Sequence, residues 1–177
     1  MTVTKRYFLL WSLTAITALT SFMNKDVNEH SKWLKFYGLK ETDFKVRALT
    51  DSIDELNWEP SGITDDYIKC FSDLCFFSPD STFFLNLNTY GEPDEEVTLV
   101  RRMNYTSSRL LYFGPGNFAE TAYWTDKGHF EILGFINEDL KFIPTIWKYD
   151  LDKGICNKLK CKISYKELPN KIYRKSK

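Results

Sequence analysis

Between residues 66 and 165 the chain is cut into short stretches of alternating side chains by turn residues at near-regular intervals, a pattern that leaves few folds open. The clearest stretch is Ile155 to Tyr165, where Leu159, Cys161, Ile163 and Tyr165 take one parity and Lys158, Lys160 and Lys162 the other. Successive residues of a strand point to opposite faces, so this is the signature of a half-buried strand. Phe83, Leu85 and Leu87 alternate in the same way, as do Val97, Leu99 and Arg101. Arg109–Phe113, Ala119–Trp124, His129–Ile136 and Ile143–Leu151 also read as strands, and Tyr67–Phe77 is a further strand-like run. Between them stand Ser78-Pro79-Asp80-Ser81, Gly91-Glu92-Pro93-Asp94, Gly114-Pro115-Gly116-Asn117, Thr125-Asp126-Lys127-Gly128 and Asp152-Lys153-Gly154, all rich in turn-forming residues. Short strands at this spacing imply an antiparallel, mostly β domain. With 14 Phe and 10 Tyr among 177 residues, the chain has the apolar bulk to fill one core.

Upstream the pattern changes. Residues from Glu29 to Tyr37 fit one short amphipathic helix stopped by Gly38, and Phe44 to Leu49 fits a strand. Trp58-Glu59-Pro60-Ser61-Gly62 reads as a loop. At the N-terminus Lys5 and Arg6 precede an uncharged run from Phe8 to Met23, ended by Lys25 and Asp26. A basic start followed by about 16 apolar or small residues matches a signal peptide, and is short of the ~20 needed to span a bilayer. The expectation is a signal peptide or N-terminal anchor over residues 1–23, then a single β-rich domain over 24–177 in the secreted, periplasmic or cell-envelope space. Removing Lys5 and Arg6 with a leader leaves 22 basic against 24 acidic groups, which argues against a nucleic-acid binder. Membrane contact is then expected only through the N-terminal segment, if it stays uncleaved.

The segments around Phe76-Phe77-Ser78-Pro79-Asp80-Ser81-Thr82-Phe83-Phe84 and Tyr123-Trp124-Thr125-Asp126-Lys127-Gly128-His129-Phe130 align at a spacing of about 47 residues, within the range of propeller blades. These turns, together with Pro144-Thr145-Ile146-Trp147-Lys148-Tyr149-Asp150-Leu151, resemble blades of TolB-type β-propellers, and the chain as a whole resembles small exported Bacteroidetes proteins of unknown function. The resemblance covers roughly Tyr67 to Tyr165. It implies two four-stranded antiparallel blade-like meanders, packed as a sandwich or an incomplete propeller behind a hydrophobic N-terminal helix. Two units cannot close a ring, so face-to-face packing or a homodimer joining sheet edges is expected. Blades host many functions, and the resemblance implies no activity.

Cys70, Cys75, Cys156 and Cys161 form two Cys-x4-Cys pairs, unlike the Cys-x2-Cys knuckles of zinc sites. In an exported protein they are candidate disulfide cysteines. A Cys70–Cys75 bond is feasible if Ser72-Asp73 is a hairpin turn. Cys156 and Cys161, five apart in one strand, point to opposite faces and cannot bridge locally. The histidines, His30 and His129, stand in no triad motif, and the paired carboxylates Asp65-Asp66 and Asp94-Glu95-Glu96 are loop charges. No catalytic, metal or cofactor residues are assigned. Tyr112, Tyr123, Trp124, Trp147 and Tyr149 are the candidate binding aromatics, since aromatic surfaces take sugars, peptides and proteins; the other reading is that they fill the core between two sheets. The expected function is a non-enzymatic exported binding or structural module for a protein or glycan partner. The alternative is a small envelope hydrolase or thiol-redox protein, in which Asp126, His129 or a cysteine would converge in a cleft.

Overall fold

The computed structural model describes residues 29–52, 56–88, 95–169 and 171–173, with the backbone alone for 46–52 and 88. The hydrophobic segment 1–23 and the Gly91–Asp94 turn lie outside the described residues. Helix α1 (29–36) ends as its sequence requires: Gly38 takes a left-handed φ of 65°, and the Leu39 N–H returns to the Leu34 carbonyl at 2.8 Å. Ten strands follow: β1 (Phe44–Ser52), β2 (Glu59–Pro60), β3 (Cys75–Phe77), β4 (Phe83–Asn88), β5 (Glu95–Arg101), β6 (Thr106–Phe113), β7 (Phe118–Trp124), β8 (His129–Glu138), β9 (Lys141–Asp150) and β10 (Ile155–Cys161).

The strands form two five-stranded antiparallel sheets, one in the order β1-β10-β9-β8-β7 and the other β2-β6-β5-β4-β3. Each contains an unbroken four-strand meander, β7–β10 in one and β3–β6 in the other. The expected count of four is corrected to five. Each meander gains one edge strand from upstream, β1 beside β10 and β2 beside β6. The propeller turns had suggested nothing of these long-range additions.

The Tyr67–Phe77 run is a second correction. Only Cys75–Phe77 is strand; Asp65–Cys70 is a short helix, α2, and Ser72–Leu74 a 3-10 turn. Local chemistry decides it. The Thr64 hydroxyl caps the helix by accepting from the Tyr67 N–H at 3.2 Å, with Asp65 and Asp66 in the first turn and Lys69 in the last. Those groups outweigh the β preference of the apolar residues beside them.

The sheets pack face to face. Leu85 and Leu87 of β4, Val97 and Leu99 of β5 and Phe113 of β6 meet Trp124, Phe130, Ile132, Trp147, Tyr149 and Cys156 of the other sheet. The outer faces are covered too. Trp33, Leu34 and Leu39 of the α1 region lie on Phe118, Leu133, Phe135 and Ile146, while Ile63, Tyr67 and Ile68 around α2 lie on Phe84 and Val100. The result is four layers: helix, sheet, sheet, helix.

Candidate functional site

Polar side chains gather in three places, and each is built by strand register. Beneath α1, Tyr123, Glu131 and Lys148 are consecutive cross-strand partners on β7, β8 and β9. Cross-strand partners share a face, so their polar ends form one row. His30 descends onto it from α1. Its Nδ1 lies 2.7 Å from the Tyr123 hydroxyl and 3.0 Å from Glu131 Oε2, and Lys148 Nζ reaches Glu131 Oε1 at 2.8 Å. Burial alone would raise the Glu131 carboxyl, but hydrogen bonds from His30, Lys148 and Tyr123 outweigh it and hold the group below the usual carboxylate range. His30 Nε2 is buried without a hydrogen-bond partner and stands 3.7 Å from Glu41 Oε1.

Further along β7, a β-bulge between Ala119 and Thr121 aims Glu120 at the helix. Its buried carboxylate accepts from Trp33 Nε1 at 2.7 Å, the Tyr37 hydroxyl at 2.6 Å and the Tyr173 N–H at 2.9 Å. The Tyr173 hydroxyl in turn donates to Glu29 at 2.8 Å. Burial first, and then Glu120, push the Tyr37 phenol far above its ordinary value. These groups clamp α1 and the C-terminal segment to β7.

At the far ends of the hairpins His129 sits between two carboxylates. Its Nδ1 is 2.8 Å from Asp126 Oδ1, its Nε2 3.3 Å from Asp150 Oδ2, and Lys153 Nζ closes on the same Asp150 oxygen at 2.6 Å. Asp126 and His129 thus meet, but not in the cleft that the hydrolase alternative expected. The cluster lies on turns, with the His129 side chain 40% exposed. Asp126 also accepts from the backbone N–H groups of Gly128 and His129, which makes it a turn brace.

The third gathering is a cleft of about 220 Å³ at the turn end of the β8–β9 hairpin, lined by Lys45, Glu138, Ile143, Lys160, Cys161 and Lys162. Strand alternation had marked Lys160 and Lys162 only as a solvated face. What the sequence could not show is that β9 and β10 part here. Their ladder ends at Lys160 and Thr145, next to Pro144, which has no N–H to give. The chain rejoins β9 only at the Phe142–Tyr165 bridge. Above the cleft the hairpin turns through Asp139 and Leu140 at φ of 53° and 60°. Both central residues being left-handed matches a type I′ turn, which favours Asn-Gly or Asp-Gly. Leucine there is strained by about 1–2 kcal/mol, yet its side chain is 86% exposed.

Most of the candidate aromatics are elsewhere. Trp124, Trp147 and Tyr149 fill the space between the sheets and Tyr123 lies beneath α1, all at most 5% exposed. Their role as a binding surface is corrected. Tyr112 alone of the five is exposed, with Arg109 set 5.6 Å from its ring. All four cysteines are free. The proposed hairpin between Cys70 and Cys75 is occupied by the end of α2 and the 3-10 turn, while Cys156 faces the inter-sheet core and Cys161 the α1 side. Among the described residues no three His, Cys, Asp or Glu side chains converge as a metal site, and no helix is long and apolar enough to cross a membrane.

No protein-family model, curated protein or solved structure matches the chain.

Proposed function

We propose that the chain is an exported, non-enzymatic binding module that engages a protein of the cell envelope through the β8–β9 hairpin and the lysine-lined cleft beneath it. Leu140 carries the reading. An apolar side chain held in water on strained backbone contributes nothing to the fold, and such outliers persist where a surface is used. The lysines below give the same surface a positive character, suited to an acidic partner. Burial of four of the five aromatics leaves Tyr112 alone of them to stack on a glycan, so a protein is preferred. Export rests on the basic and apolar pattern of residues 1–23, and the blade-like meanders remain part of the proposal as a scaffold.

The test is retention of a partner from envelope extract by the full chain. Wild type is expected to hold a defined protein that Leu140→Asp and Lys162→Glu lose, with their melting temperatures preserved. Asp accepts left-handed backbone, so the first change alters polarity without adding strain. Equal retention by all three proteins overturns the assignment of this surface.

A second reading, a small hydrolase, is favoured by one observation. The Glu131–His30 pair orients an imidazole as a general base would be oriented, with Nε2 making no hydrogen bond. On that reading His30, rather than His129, is the base, and His30→Gln would abolish a turnover that His129→Gln leaves intact.

A further inference from the structure

Antiparallel partners stand side by side on one face of a sheet, and in the β1–β10 ladder Lys45 stands opposite Lys160. Like charges in that position repel. Lys160 is also poorly hydrated, its side chain being 14% exposed, and it relies on Glu138 across the cleft for a counter-charge. Lys162 Nζ spends one of its protons on the Thr42 carbonyl at 2.7 Å and has two left. Lys45 has no partner among the described residues. The nearby Asp43 accepts the Lys40 N–H at 2.8 Å. The lining therefore sets three ammonium groups against the carboxylate of Glu138, with the Asp43 carboxylate beside the cleft.

Size narrows the occupant. A cleft of about 220 Å³ falls below the ~300–1,000 Å³ of pockets that enclose whole small molecules, so it takes one head group. Ile143 and Cys161 supply an apolar wall, and burial holds the Cys161 thiol above its ordinary pKa, so it stays protonated at neutral pH. We infer that the cleft is an oxyanion site, in which a carboxylate or phosphate group of the partner enters between Lys45 and Lys162 and shares the Lys160 ammonium with Glu138. The inference rests on the reading of this end of the sheet as the binding surface, and it names the chemistry that surface accepts. An anion there relieves the Lys45–Lys160 repulsion, which gives binding and stability a common origin.

Inorganic phosphate and N-acetylaspartate are the two probes, each titrated into the full chain at constant ionic strength with chloride as the compensating anion. The amide signals of Lys160, Cys161 and Lys162 are followed by NMR, and the melting temperature is recorded with and without probe. At least one probe is expected to saturate below about 20 mM, and which one does so distinguishes a phosphate source from a carboxylate source. Lys45→Glu replaces a like-charge pair with an opposite-charge pair. It should raise the melting temperature of the ligand-free protein while weakening the probe about tenfold or more. Failure of both probes to saturate, or wild-type binding by Lys45→Glu, overturns the oxyanion site. A chain that binds neither probe but still loses its envelope partner on Leu140→Asp refutes the site and leaves the binding module standing. A chain that binds a probe specifically but retains no partner supports the site and refutes the module.

Discussion

A β-carbon added at Gly134 would lie 2.1 Å from the Phe118 carbonyl oxygen and 2.9 Å from the Ala119 α-carbon. Both are backbone atoms of the adjoining strand, so neither can swing aside. Gly134 faces the bulge that aims Glu120, and close approach there is what the missing side chain permits. Gly134→Ala should cost about 3 kcal/mol in urea unfolding, whereas Gly62→Ala, with open space around it, should stay within about 0.5 kcal/mol. The thiols give a second expectation at this scale. Burial pushes Cys75 up to about 11 and raises Cys161, and Cys156 is buried, while Cys70 is exposed. A native-state alkylation time course should therefore show one fast thiol, Cys70, and three that react only on unfolding; a second fast thiol would contradict the packing of β3 or β10. The opposite parities of Cys156 and Cys161 were legible, because a strand of alternating lysines fixes which way each residue points. The burial of Trp147 and Tyr149 was legible too, as aromatics filling the core between two sheets. The covering of the outer faces by helices was not, because alternation says only that two faces differ.

Among the elements, the paired hairpin turns carry a pH signature. Burial would raise Asp126, but hydrogen bonds from His129 and the Gly128 N–H prevail and lower it. The Lys153 ammonium lowers Asp150 to about 2, and Asp126 first, then Asp150, raise His129. A lowered carboxyl stabilises the fold above its unfolded pKa of about 4, and that contribution is lost as pH falls toward the folded value. A raised histidine stabilises the fold below its unfolded value of about 6.5, and the contribution is lost as pH climbs through the folded value. The turns should therefore hold best between about pH 4 and 6.5. In a melting-temperature profile, His129→Gln should flatten the decline just above that window and leave most of the acid limb, which belongs to Asp150 and Lys153. An unchanged alkaline limb would mean that the His129 contacts contribute nothing to stability. The sequence showed these turns because Asp, Gly and Lys crowd them. It hid α2, where a cap of three polar residues decided against a longer apolar run, and it hid the Glu120 bulge. A bulge changes pairing by one residue and leaves the alternation on either side intact.

For the whole molecule, the decisive feature is that the two meanders are not independent halves. β1 and α1 belong by sequence to the first half, yet β1 extends the sheet of β7–β10 and α1 covers its outer face. This exchange was not legible beforehand, since edge pairing between distant segments leaves no local pattern. Trp124 ties the halves again: its Nε1 donates to the Phe76 carbonyl at 2.8 Å and its ring packs on Phe130 within the inter-sheet core. A cut between Pro115 and Gly116 would therefore leave 116–177 with β7–β10, bare on both faces and lacking its fifth strand. It would leave 1–115 with α1 and β1 but without the sheet they complete. A sheet with an unburied apolar face is not stable alone. Each fragment should show little cooperative melting and a tendency to aggregate. Mixing them in equal amounts should restore strand-type circular dichroism and a single transition. In the mixture Trp124→Ala should weaken reassembly, in keeping with the roughly 3–5 kcal/mol that truncating a buried tryptophan costs. If 116–177 alone melted cooperatively at the temperature of the full chain, the meanders would be separate folding units, and neither the shared core nor the donated strand β1 could be what holds the protein together.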